Sequence, residues 1–229
     1  MTTFEKNFTT GEYQIRLAKT RAAMTAAGLD AIVVCDPSNM SWLTGYDGWS
    51  FYVYQGVILT LEGDPVWWGR AMDALGAART VFMESSDSIC GYDDTFVQNP
   101  LKHPMQELAK LLAEMGLDTA RIGVEMDNYY YSAAAHMALV KGLPKADLQD
   151  ATGLVNWQRA VKSEREIEYM RRAARIVEAM HARVLEVAEP GMRKNDLIAE
   201  IYATGIRGAD GHWGDYPAIV PMAPSGLDA

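Results

Sequence analysis

No stretch constrains the architecture of this chain more than residues 157–174, WQRAVKSEREIEYMRRAA. Ser163 and Glu166 have capping-box spacing, in which each side chain satisfies the other residue's orphan backbone N–H at a helix start. Behind them Ile167, Met170, Ala174, Val177, His181, Val184 and Ala188 recur at helical intervals until Pro190-Gly191 breaks the run. The pattern predicts one long helix that closes a first module and opens a second.

The first module reads as alternating helices and strands. Thr9 and Glu12 repeat the capping spacing, and Tyr13, Leu17, Met24 and Ala27 make a stripe that Gly28 ends. Residues 31–35 form a buried strand, and Asp36-Pro37-Ser38 starts a short helix through Trp42 that Gly45 stops. Residues 51–61 are β-rich, Gly63-Asp64 is a turn signal and 66–68 returns, which predicts a hairpin. Residues 72–80, 104–115 and 132–141 are helical, whereas 121–126 and 147–150 are strands.

This order predicts an α/β fold with a mixed sheet flanked by helices over residues 1–155. Residues 156–229 are expected to hold a linker and part of a second, α+β domain. There Asn195 is placed to cap a helix with Leu197, Ile198, Ile201 and Tyr202 on its buried face, 208–214 is a loop, and 216–222 is a last strand. Two helices and one strand cannot cover both faces of a sheet, so this part should open a larger domain or be covered by a partner.

Composition excludes some functions. A net charge of −9 without a basic stretch argues against binding nucleic acid through its phosphates. No apolar run has the length of a membrane span, and the N-terminus has neither the basic nor the apolar region of a secretory leader. Cys35 and Cys90 are read as two reduced thiols, consistent with the cytoplasm.

Metal and nucleotide motifs are missing: there is no HExxH, CxxC, P-loop, GxGxxG or GxSxG. His103 precedes Pro104 at a helix start and suits a cap, while His136 and His181 lie on predicted helices and suit packed, hydrogen-bonded roles. His212 sits in HWGDYP, a denser polar–aromatic cluster than a connector needs. The other patch is residues 39–54, NMSWLTGYDGWSFYVY. Core packing accounts for Trp42, Tyr52 and Tyr54. Tyr46-Asp47-Gly48-Trp49 instead puts two rings about a turn expected to be exposed, which suits a cationic or amidine-like ligand or a subunit interface as well as it suits core.

Together, DPSNMSWLTGY after a first strand, the hairpin, and RAVKSEREIEYMRRAA resemble the creatinase/prolidase (pita-bread) superfamily. Within it, LTGYDGWSFYVYQGVI, EMDNYY, LVNWQRAVKSE, ARIVEAMH and GDYPAIVP are most similar to the ectoine-hydrolase branch. The resemblance implies hydrolysis of a cyclic amidine, with ectoine or a similar small molecule as substrate, by a homodimer. It also implies that the loop after the Asn39 helix reaches into the partner subunit's active site, where Phe51 matches a substrate-contacting phenylalanine. Trp49, Tyr46 and Asp47 extend that substrate-binding set on local chemistry, and Asp215 and Tyr216 lie where the family's strand enters the pocket. The family's catalytic histidine and metal ligands are expected beyond Ala229, so no catalytic residue or metal ligand is assigned here and the cofactor stays open. The alternatives are an Xaa-Pro dipeptidase or aminopeptidase of the same fold and a non-catalytic dimerisation or binding module.

Overall fold

The computed structural model describes residues 6–214, 220–224 and 226. It divides into two compact units, Met1–Val161 and Lys162–Ala229.

In the first unit, α1 (Thr10–Ala27) starts where the Thr9 side chain accepts the Glu12 N–H and ends at Gly28 in the left-handed conformation. Strand β1 (Ala31–Val34) is buried along its whole length. Helix α2 (Pro37–Thr44) is capped by Asp36, whose carboxylate accepts the N–H groups of Ser38 and Asn39. The hairpin β2 (Gly56–Thr60) and β3 (Val66–Arg70) follows, then a 3-10 turn at Ala71–Asp73, α3 (Ala74–Thr80) and β4 (Ile89–Tyr92). Next come α4 (Met105–Glu114), β5 (Arg121–Val124), α5 (Ala133–Gly142), β6 (Asp147–Asp150) and α6 (Leu154–Gln158).

The sheet runs β4-β3-β2-β1-β5-β6, with β2 antiparallel to both neighbours and the remaining pairs parallel. Alternation along β1 divides the core. Ile32 and Val34 join Tyr13, Leu17, Met24, Met40 and Leu43, while Ala31 and Val33 join Met105, Leu108, Leu112, Ala135 and Leu139. Helices thus cover both faces of a mixed sheet, the α/β architecture that the order of elements predicts.

Four local readings change. The aromatic stretch 51–55 is a pair of tight turns rather than strand, because Phe51 N–H bonds Trp49 C=O and Val53 N–H bonds Ser50 C=O. The edge strand β4 was hidden by Cys90-Gly91, which lacks an apolar alternation. Gly91 is needed there, since a Cβ would lie 2.8 Å from the Ala71 Cα. The short helix α6 also has no periodic signal. The segment 72–80 begins as 3-10 structure before turning α-helical.

In the second unit, α7 (Glu164–Val187) has the full capping box of Ser163 and Glu166, and α8 (Lys194–Arg207) follows. Asn195 is not the cap of α8; Arg193 occupies that position without a side-chain cap, and its guanidinium holds Asp196 at 2.8 Å. Leu197, Ile198, Ile201 and Tyr202 are half-buried. Ala209 and His212 bridge the loop after α8. Most of the expected strand 216–222 lies outside the described residues, and its described part, 220–222, is not strand.

Candidate functional site: an exposed aromatic loop on a polar node

The loop after α2 begins at a fixed point. Gly45 takes φ 83°, and a Cβ there would fall 2.6 Å from the Tyr13 hydroxyl. Upstream, the Glu125 carboxylate, 2% exposed, anchors the helix start. Its Oε2 accepts the N–H groups of Cys35 (2.7 Å) and Asp36 (2.8 Å), and its Oε1 accepts Asn39 Nδ2 (2.6 Å). Asn39 also donates to Asn156 Oδ1 (2.9 Å) and accepts from Arg159 Nη1 (2.6 Å), which ties α2 to α6. Burial pushes the Glu125 carboxyl above its ordinary value, and the hydrogen bonds from Asp36, Asn39 and Cys35 oppose that rise.

Beyond Gly45 the loop turns outward. Trp49, Phe51 and Tyr52 are 58%, 41% and 61% exposed. Phe51 is the centre of the group: its ring lies 4.8 Å from Trp49, 6.1 Å from Tyr52 and 6.3 Å from Tyr130, all at tilted or edge-on angles. Exposed rings packed on one another form a ready-made contact face for a cation or a partner. Beside them a cavity of about 280 Å³ is lined by Tyr52, Tyr54, Tyr92, Phe96, Lys102 and His103, among others.

The expected site residues separate in this structure. Trp49 and Phe51 share the exposed cluster, and Asp47 is exposed beside them with its N–H directed at Thr80 Oγ1. Tyr46 does not flank the turn as an exposed ring. It is 3% exposed, packs 5.4 Å from Trp67 and donates its hydroxyl to Gln55 Oε1 at 2.8 Å. Burial pushes its phenol up to about 12. Asp215 and Tyr216 lie outside the described residues.

Among the histidines, His103 accepts the Met105 N–H at 3.2 Å in the expected capping role, and His136 pairs with the Tyr131 hydroxyl at 3.0 Å. His181 is exposed rather than packed. His212 contributes backbone bonds to its loop, and its residue is exposed. Reading the residues missed Glu125, Arg70 and Tyr130. A carboxylate closing an apolar strand was the available signal for Glu125; nothing local marks the other two.

Comparison with known proteins gives the context of this geometry. The Creatinase/Prolidase N-terminal domain family matches residues 16–161, and Metallopeptidase family M24 matches residues 168–229. Among the described residues no group of three or more His, Cys, Asp or Glu could hold the metal that a metallopeptidase family implies. The ectoine hydrolase of Halomonas elongata is 56% identical over 97% of this chain and 57% of its own length. An uncharacterised hydrolase/peptidase of Sinorhizobium fredii is 40% identical over 94% of this chain and 55% of its own. The chain therefore spans little more than half the length of the curated relatives it matches.

Among solved structures, a prolidase from Thermococcus sibiricus aligns with TM-score 0.69 and 18% identity over 86% of this chain and 51% of that one. An Xaa-Pro dipeptidase from Bacillus anthracis gives 0.67 and 18% over 84% and 48%. These likenesses speak for the fold. With its mixed sheet, its capped joint helix and the family match over residues 16–161, the chain belongs to the creatinase/prolidase N-terminal domain family and continues into part of a metallopeptidase M24 domain.

Proposed function

We propose that this chain supplies the N-terminal domain and the opening of the catalytic domain of an ectoine-hydrolase-type enzyme. The observation that carries the reading is the 56% identity with the Halomonas elongata ectoine hydrolase, spread over 97% of this chain. In the reaction, water adds to the amidine carbon of ectoine and forms a tetrahedral intermediate. A ring C–N bond then breaks as a proton passes to the leaving nitrogen, giving N-acetyl-2,4-diaminobutyrate.

This chain's share is recognition. Phe51 and Trp49 offer ring faces to the delocalised amidinium, an attraction of about 0.5–1 kcal/mol at an exposed site and about 2 when desolvated. Asp47 supplies a carboxylate for a charge-assisted hydrogen bond, and Asp215 and Tyr216 complete the proposed substrate-binding set. Tyr46 contributes through the loop rather than by touching ligand. The working form is a cytoplasmic homodimer in which the aromatic loop enters the partner subunit's site; no described helix is long and apolar enough to cross a membrane.

A second reading, an Xaa-Pro dipeptidase, is favoured by the match of residues 168–229 to a metallopeptidase family. The test is an assay of the protein expressed from its complete reading frame, with ectoine and with an Xaa-Pro dipeptide. Ectoine opening that Phe51→Ala slows, through KM or kcat, supports the proposal. Cleavage of the dipeptide alone replaces it with the second reading, and ectoine kinetics that ignore Phe51→Ala return that ring to packing.

A further inference from the structure

The geometry points to a pre-set frame beneath the aromatic loop, in which Tyr46, Gln55 and Arg70 are positioning residues for Trp49, Phe51 and Tyr52. The inference rests on the reading of that loop as ligand-facing.

Three observations make the frame. Its base is closed by the buried bond from the Tyr46 hydroxyl to Gln55 Oε1 at 2.8 Å, which joins the two ends of the loop. The chain between them lies on that hydroxyl: a Cβ on Gly48 would sit 2.0 Å from it. Only a residue without a side chain lets the backbone pass there, so the path from Tyr46 to Trp49 is determined by the phenol. From below, Arg70 at the end of β3 is held by Asp73, with Nε–Oδ2 at 3.0 Å and Nη2–Oδ1 at 3.3 Å. Its guanidinium then reaches the Tyr52 hydroxyl at 3.4 Å and lies 5.8 Å from the centre of that ring.

Packing alone does not call for this arrangement. A hydrophobic core under the loop would be served by apolar side chains, yet the structure buries a phenol hydroxyl and a glutamine and bonds them to each other. A buried polar pair whose members satisfy each other holds its surroundings to one arrangement, because any other leaves both groups desolvated and unbonded. Three exposed rings have many ways to collapse on each other. The frame limits them to one before a ligand arrives, so binding does not have to order the loop.

The test labels the chain with 5-fluorotryptophan and assigns the Trp49 fluorine resonance by Trp49→Phe. In both Tyr46→Phe and Arg70→Gln, the Trp49 resonance should move and narrow toward that of mobile fluorotryptophan, with those of Trp157 and Trp213 unchanged. A Trp49 resonance unmoved in both variants overturns the frame. In the protein from the complete reading frame, Arg70→Gln should raise KM for ectoine about fivefold at nearly constant kcat, and Arg70→Lys should recover part of it. An unchanged KM beside a moved resonance overturns the positioning role. If the parent protein opens no ectoine, the functional reading fails by itself, and the fluorine measurement still decides whether the frame sets the rings.

Discussion

Glu125 takes three hydrogen bonds from α2 and the residues before it while almost wholly removed from water. Replacing it with Gln keeps the shape but turns one acceptor into a donor that faces donors. The expected loss is about 1–3 kcal/mol, the range for leaving buried polar groups unsatisfied. Its pH dependence has a definite sign. Burial raises the folded-state pKa, so the folded protein holds this proton more tightly than the unfolded chain does. The contribution of Glu125 to stability is therefore complete below the unfolded pKa and declines as pH rises through the folded one. Urea unfolding of the parent protein and Glu125→Gln across that window should show the gap between them widest on the acid side. A gap that widens toward neutral pH would mean that the hydrogen bonds outweigh burial.

At the scale of elements, α2 and its exit decide where the loop starts, and Gly45 is the residue on which both depend. Alanine at φ 83° strains the backbone, and its Cβ would meet the Tyr13 hydroxyl at 2.6 Å and the Thr80 carbonyl at 3.0 Å. Together these should cost roughly 2–4 kcal/mol. Gly63 in the hairpin turn has φ 75° with nothing within 4 Å, so Gly63→Ala should lose only the backbone part, about 1 kcal/mol. Equal losses for the two variants in denaturant titrations would remove the steric argument at Gly45. These two glycines also mark what a sequence makes legible. The caps of α1, α2 and α7 use partners two or three residues away, so Thr9, Asp36 and Ser163 announce their helices. The polar node joins Asn39 to Glu125, 86 residues apart, and to Arg159, 120 residues apart, and no local spacing encodes it. The same holds for Arg70 and Tyr52. Phe51, Tyr52 and Tyr54 carry strand-forming side chains, but the turn bonds at Trp49 and Ser50 win locally and expose the first two rings.

The whole chain is uneven in what it buries. The first unit has a core on each face of its sheet, from Leu17 and Met24 on one side to Leu108 and Leu112 on the other. In the second unit no residue of α7 is buried, and Met170, Val177 and Leu185 remain exposed along it. Its helices α7 and α8 pack on each other through half-buried side chains, with surface ion pairs such as Arg165–Glu168, Arg175–Glu178 and Arg183–Glu200 beside them. Such pairs contribute about 0–1 kcal/mol each and cannot replace a core. Residues 1–161 expressed alone should therefore unfold in one cooperative transition with the near-ultraviolet dichroism of packed aromatic rings. Residues 162–229 alone should keep partial helicity from the capping box and lose it gradually, without a transition. The exposed stripe of α7 also predicts that the second fragment binds a hydrophobic dye more strongly per residue than the first. A sharp transition in 162–229, or its absence in 1–161, would show that stability is shared between the units and that the aromatic loop does not stand on a self-sufficient domain.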